Sequence, residues 1–143
     1  MSIEFHSLRV IEVRRETADA VSIRLEAPEE AKRHFAFKAG QHLTVRRDFG
    51  GEDVRRNYSL CVSPAEGQLK IGVKKIAGGV FSTWANEQLK AGDTIEAMAP
   101  PGSFTWNFDP AASRHYAAFA GGSGITPILS LIKTALETEP RSR

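Results

Sequence analysis

From Phe5 to Met98 the chain repeats one pattern: short runs in which apolar residues fall at every second position. Val21-Ser22-Ile23-Arg24-Leu25 alternates cleanly, so Val21, Ile23 and Leu25 share one face of a strand. Phe5 to Glu16 carries Leu8, Val10, Ile11 and Val13 among polar neighbours, and the same period runs through His42 to Arg47, Val54 to Val62, Leu69 to Lys75 and Thr94 to Met98. Turn residues separate the runs: Ala27-Pro28, Ala39-Gly40, Phe49 to Asp53, Ser63 to Gly67 and Gly92-Asp93. Glu29 to His34 predicts one short helical turn. The period becomes helical once, from Val80 to about Lys90, with Phe81, Trp84, Ala85 and Leu89 as the apolar face; Gly78-Gly79 opens this helix and Ala91-Gly92 stops it. Short strands at close spacing around one helix predict a mainly β fold, a six-stranded antiparallel Greek-key barrel with one capping helix. Closure into a barrel is preferred because it removes exposed strand edges.

The pattern changes after Phe108 to Arg114, which reads as a linker. His115-Tyr116-Ala117-Ala118-Phe119-Ala120 is a short apolar run, as expected of a parallel strand buried on both faces. A glycine turn follows, then a helix from Thr126 to Glu137 and a polar tail from Glu139 to Arg143. The expected organisation is a β domain over 1–110, then, over 111–143, the first strand, glycine turn and helix of an α/β nucleotide-binding domain. Such a domain needs more chain than this, so it is expected to be truncated. Ile128, Leu131 and Ile132 would then lack their usual cover. That face is expected to pack on a neighbouring chain, as in a segment-exchanged dimer, to fold back on the barrel, or to be disordered.

Composition narrows the function classes. The 19 basic and 17 acidic residues leave a net charge of +2, and Arg14-Arg15, Arg46-Arg47 and Arg55-Arg56 are pairs rather than runs, which argues against a nucleic-acid surface. No apolar stretch approaches the roughly 20 residues of a membrane span. The N-terminus lacks the basic start and apolar block of a secretory leader. One cysteine, Cys61, excludes a disulfide framework or cysteine-based metal cluster within the chain, and a reducing, cytoplasmic setting is the default. Cys61 itself reads as a small packing residue, with a place beside a ligand as the other reading. His6, His34, His42 and His115 share no metal-ligand spacing, so no metal site is assigned.

Three segments carry candidate chemistry. In Arg56-Asn57-Tyr58-Ser59, strand geometry puts Arg56 and Tyr58 on one face and Asn57 and Ser59 on the other. An arginine there can pair with a diphosphate through two parallel hydrogen bonds, a tyrosine offers a flat ring with a polar tip, and Ser59 can exchange a hydrogen bond with a ring heteroatom. Gly78-Gly79-Val80-Phe81-Ser82 opens the barrel's helix, where free N–H groups and the dipole favour an anion. Ala99-Pro100-Pro101-Gly102-Ser103-Phe104 is a rigid turn that either aims Phe104 at a fixed point or seals the barrel base with it.

In their order and spacing these segments resemble the flavin-binding domain of the ferredoxin–NADP reductase family. The matching marks are Phe37-Lys38-Ala39-Gly40-Gln41, Arg56-Asn57-Tyr58-Ser59, Gly79-Val80-Phe81-Ser82, Pro101-Gly102-Ser103-Phe104 and Gly121-Gly122-Ser123-Gly124-Ile125-Thr126-Pro127. Phe5-His6-Ser7-Leu8, Gly40 to Thr44 and Arg55 to Cys61 look like the subgroup of reductases that serve bacterial phenylacetyl-CoA oxygenases. The resemblance implies FAD as cofactor and NADH or NADPH as electron donor. It implies that Arg56 holds the diphosphate, with Asn57 beside it on the same strand. Tyr58 would stack on the flavin and Ser59 would lie near N5, so Tyr58 and Ser59 stand as the catalytic pair. Gly79, Val80, Phe81 and Ser82 would hold the diphosphate at the helix start, Val73, Lys74 and Lys75 would line the adenine–ribityl side, and Thr126 would face the nicotinamide cleft. It implies an iron–sulfur domain and an oxygenase component as electron-accepting partners. The [2Fe–2S] cluster of the full-length relative, with its four cysteines, is not in this chain. With the nucleotide-binding half incomplete, pyridine-nucleotide turnover by this chain alone is expected to be weak or absent. Two alternatives stay open at this level: a cofactor-free β-barrel that serves as a binding or assembly module, and a reductase for another partner, such as a flavohaemoglobin-like, siderophore or other oxygenase system.

Overall fold

The computed structural model describes residues 4–143; Met1–Ile3, the start of the segment read for a leader, lie outside the described residues. Strands β1 (Phe5–Thr17), β2 (Ala20–Glu26), β3 (His42–Phe49), β4 (Glu52–Ser59), β5 (Leu69–Lys74) and β6 (Thr94–Met98) form one antiparallel six-stranded sheet in the order β4-β3-β6-β1-β2-β5. The non-consecutive neighbours β2–β5, β3–β6 and β6–β1 are the crossing pairings of a Greek key. The Val10-Ile11 doublet, which breaks the alternation in β1, coincides with a register shift against β2 between Val10 and Glu12, so the extra residue is absorbed as a bulge.

The sheet curls until its two edges meet, but they do not close as a ladder. Among the described residues the two edges are joined by a single β-bridge, Leu60 with Ile71, placed just after β4 ends at Ser59. The expected strand to Val62 is therefore shorter, because the chain changes partners there. The Leu60 amide donates to the Gln41 carbonyl, and the next amide, Cys61, donates to the Lys70 carbonyl on β5. "Barrel" describes this curvature loosely. Strand β3 also runs past Arg47 to Phe49, since Gly50 and Gly51 take positive φ (67° and 95°) and make a two-residue hairpin turn whose twist matches the strands.

Inward-facing Leu8, Ile23, Leu43, Val45, Ile71 and Val73 build the core. Helix α1 (Val80–Glu87) covers one end with Phe81, Trp84 and Ala85 buried, and Leu89 follows into the same core. The helix stops at Glu87 rather than near Lys90: the Gln88 and Leu89 amides both turn to the Trp84 carbonyl, and Asp93 takes the Lys90 amide. A 3-10 turn spans Glu29–Phe35 and buries Ala31 and Phe35.

The C-terminal part departs most from expectation. Helix α2 (Ile125–Thr138) forms, but His115 to Ala120 is not a strand and lies exposed, with Phe119 at 90%. A strand apolar on both faces needs a neighbour on each edge, and among the described residues this one is paired only at its start. There the Arg143 amide donates to Arg114 and the Tyr116 amide donates to Arg143, the two-bond exchange of a parallel pairing. Of the outcomes open for α2, the structure shows the helix folded back on the sheet. Ser130 is buried and donates to the Val62 carbonyl at 2.6 Å, Lys133 pairs with Glu66 at 3.1 Å, and Ala135 is buried. Leu136, Ile125 and Ile132 stay outside.

The tail is not simply polar. Glu139 is fully buried, and its carboxylate accepts from the Asp109 amide, Arg114, the Tyr116 hydroxyl and the Ser142 hydroxyl at 2.6–2.9 Å. A buried charge persists only when paired and hydrogen-bonded in this way, and the cluster ties the linker to the tail. Phe104 does not seal the sheet's base; its ring is 60% exposed.

Candidate functional site

Site residues from three parts of the chain converge where the sheet edges meet and α1 covers them. Strand β4 is an edge strand, so along most of its length one backbone edge has no neighbouring strand beside it. Tyr58 lies opposite buried Leu43, and Arg56 opposite buried Val45, on the strand's inward face. The Tyr58 ring is half-buried and tilts against fully buried Phe81 of α1, with centroids 5.7 Å apart. Burial pushes the Tyr58 phenol above its usual range while the neighbouring Arg56 charge pulls the other way, so the hydroxyl is a protonated donor at neutral pH. Arg56 has no acidic partner among the described residues; its Nη1 donates to the Arg55 carbonyl at 2.7 Å. By contrast Arg55 pairs with Asp53 and Arg46 with Glu96, each at 2.7 Å.

The start of α1 is built from its own loop. A Cβ on Gly79 would stand 2.4 Å from the Ser82 hydroxyl and 2.6 Å from the Ile76 side chain, so only glycine fits. The Ser82 hydroxyl accepts from the Ile76 amide (3.2 Å) and donates to the Gly79 carbonyl (3.3 Å), which commits it to the loop. No side chain caps the helix N-terminus, which leaves first-turn amides for an anion. Asn86 locks α1 to β5 by donating to the Val73 and Ser82 carbonyls, and Arg15 in turn grips Asn86 at 2.9 Å.

The remaining expected residues divide. Ser59 directly precedes the Leu60–Ile71 bridge that joins β4 to β5, and Thr126 packs its methyl 3.3 Å from where a Cβ on Gly72 would stand; both lie along that junction. Asn57 turns to the other face, where Thr44 donates to it at 2.8 Å. The Val73 and Phe81 side chains belong to the core, so only their backbone can meet a ligand. Lys74 pairs with Asp19 and Lys75 with Glu87. Cys61 is half-buried and donates to the Lys70 carbonyl at 3.4 Å; burial pushes its thiol up, which suits packing rather than reactivity.

Sequence reasoning passed over Arg47, Gly72 and Asn86. Arg47 had a legible signal, because it follows Leu43 and Val45 in the inward phase of β3. The other two show themselves only across the β5 contacts. Taken together, an unpaired guanidinium, a half-buried phenol ring and an uncapped helix start suit a planar ligand that carries phosphate.

Comparison with known proteins agrees with this chemistry. The family model described as an oxidoreductase FAD-binding domain matches residues 7–106. A 1,2-phenylacetyl-CoA epoxidase component from Escherichia coli (strain K12) is 46% identical over 97% of this chain and 39% of its own length. The ferredoxin reductase component of 3-ketosteroid-9-alpha-monooxygenase from Rhodococcus rhodochrous is 40% identical over 90% of this chain and 36% of its own. Phthalate dioxygenase reductase, a modular structure for electron transfer from pyridine nucleotides to [2Fe–2S], superposes with a TM-score of 0.74 at 30% identity, over 96% of this chain and 41% of that one. The chain thus spans about two fifths of the length of the relatives it matches.

Proposed function

The chain belongs to the oxidoreductase FAD-binding domain family, and from that premise we propose that residues 1–110 bind FAD as the flavin domain of an NAD(P)H-dependent reductase, with 111–143 opening its nicotinamide domain. The reductase passes electrons on to an iron–sulfur centre and an oxygenase component. The 46% identity to the phenylacetyl-CoA epoxidase component supports phenylacetate breakdown as the setting. Cys61 is the chain's single cysteine, so the iron–sulfur centre belongs to another segment or polypeptide.

Bound FAD supplies the chemistry that accepts two electrons from nicotinamide and releases them singly. The chain's own residues bind and orient. Arg56 meets the diphosphate with charge-assisted hydrogen bonds. Tyr58, held from behind by Phe81, presents a flat ring to the isoalloxazine plane and keeps its proton, so its hydroxyl donates. Ser59 offers a hydroxyl to the reacting edge of the ring system. The uncapped start of α1 at Val80 adds amide donors, the Gly79 amide being taken by the Ile76 carbonyl, and Thr126, seated against Gly72, borders the side from which nicotinamide approaches.

The observation that carries this reading is the position of Arg56, free of any acidic partner among the described residues, one inward step from a half-buried Tyr58. FAD titration of the wild type against Arg56→Ala, followed by flavin fluorescence, tests it. Loss of a charge-assisted contact costs about 1.5–3 kcal/mol, roughly 10- to 150-fold in Kd. Equal affinity in the two proteins would remove Arg56 from the site, and a wild type that takes up no flavin would remove the function.

A further inference from the structure

We infer that Arg47 is a second anion contact and sets the preference for a dinucleotide flavin over a mononucleotide; this rests on the flavin reading above. Arg47 pairs directly with buried Val54, which places it on the inward face of β3. Arg56 stands two residues beyond Val54 on β4, so Arg47 and Arg56 occupy diagonal positions on one face, a spacing of roughly 7–8 Å along the backbone and somewhat less between Cβ atoms. Like charges within such reach repel each other, yet neither guanidinium has an acidic partner among the described residues. The Arg47 guanidinium is instead held over the Trp84 ring, 4.1 Å from its centroid, a placement that fixes its direction and leaves its N–H groups free. Two unneutralised guanidiniums on one face fit two phosphates.

The direction of the ligand follows from the strand. Tyr58, Arg56 and position 54 are successive inward positions on β4, about 7 Å apart. A ligand with its ring system on Tyr58 and its first phosphate at Arg56 reaches Arg47 at the next step. Beyond lies an open groove of about 560 Å³ between the β3–β4 turn and α1, walled by Arg47, Phe49, Gly79, Val80 and Trp84 and by Asp48, whose carboxylate accepts from the Gly51 amide. Its aromatic and glycine walls suit a nucleoside, and the structure assigns it to the adenosine phosphate half of FAD. FMN, which lacks that half, ends at Arg56.

The test measures Kd for FAD and for FMN with the full 143-residue chain as wild type, Arg47→Gln and Arg47→Lys. The wild type is expected to bind FAD more tightly than FMN. Arg47→Gln is expected to weaken FAD roughly tenfold to a hundredfold while leaving FMN unchanged. Arg47→Lys keeps the charge and the alkyl stem over Trp84, and is expected to show a smaller loss, again confined to FAD. Should Arg47→Gln fail to fold, the lysine variant carries the comparison. A loss shared equally by FAD and FMN, no loss for either, or a wild type indifferent between the two overturns the assignment and leaves the flavin reading standing. A wild type that binds neither ligand overturns both.

Discussion

Replacing Ser130 by alanine tests how α2 is held on the sheet. Ser130 is fully buried, and its hydroxyl donates to the Val62 carbonyl at 2.6 Å. Val62 is only 2% exposed, so water cannot take over the carbonyl once the hydroxyl is gone. The cost is therefore that of a buried unsatisfied acceptor, about 1–3 kcal/mol, rather than the smaller net worth of an average hydrogen bond. The other restraints on α2 are weaker. The Lys133–Glu66 pair is partly exposed and contributes roughly 0–1 kcal/mol, and the Thr126 methyl adds one contact at Gly72. With Ile125, Ile132 and Leu136 outside and Ser130 and Ala135 the buried residues of the helix, α2 has few buried anchors and opens below the threshold for global unfolding. Native-state hydrogen exchange is the assay. In Ser130→Ala the α2 amides should exchange roughly five- to 150-fold faster, with β1, β2 and β5 unchanged. Equal acceleration in helix and strands would show that α2 opens only with the whole sheet. No acceleration would show that the hydroxyl does not hold it. Either result refutes the reasoning.

Two further predictions concern the linker–tail cluster and the α1 loop. Burial alone would raise the Glu139 carboxyl, but the Ser142, Asp109 and Tyr116 hydrogen bonds and the Arg114 charge outweigh it and hold it below the ordinary 4.5. Its stabilisation is therefore present above that value and is lost as pH falls through the lower folded value. Arg114 reaches from Glu139 towards the Trp106 ring, 5.9 Å from its centroid, so Trp106 emission should change below pH 4.5. Glu139→Gln should abolish that transition, and an unaltered pH profile in the variant would refute the assignment. Gly79→Ala forces a Cβ to within 2.6 Å of both the Ser82 hydroxyl and the Ile76 side chain. The overpacking should cost about 1–3 kcal/mol and lower Tm by about 3–10 °C; an unchanged melting curve would show that the loop yields freely.

Much of this protein was legible in one dimension. Alternating apolar positions mark all six strands because a strand half-buried on a sheet must show period two, and Phe81, Trp84, Ala85 and Leu89 mark the covering helix because one stripe of it meets the core. Arg56, Tyr58 and the glycine-led helix start are legible for the same reason: each is a residue type with narrow chemistry at a position whose direction the local period sets. Local pattern also misleads where the partner is not local. His115 to Ala120 has the composition of a buried strand, yet the described chain offers it only a start of parallel pairing at Arg143. Glu139 has the composition of a surface tail, yet it is buried because donors from Asp109, Arg114, Tyr116 and Ser142 converge on it.

What only the tertiary structure decided is therefore whatever depends on register between distant segments. Cross-strand pairing with Val54 puts Arg47 diagonal to Arg56, the Leu60–Ile71 bridge brings Ser59 to β5, and a glycine at position 72 lets Thr126 seat against that strand. Sequence sets which residue types are available and which way each strand presents them. Hydrogen bonds between residues far apart in the chain decide which of them meet, because that choice depends on how the whole sheet curls and not on any window of neighbours.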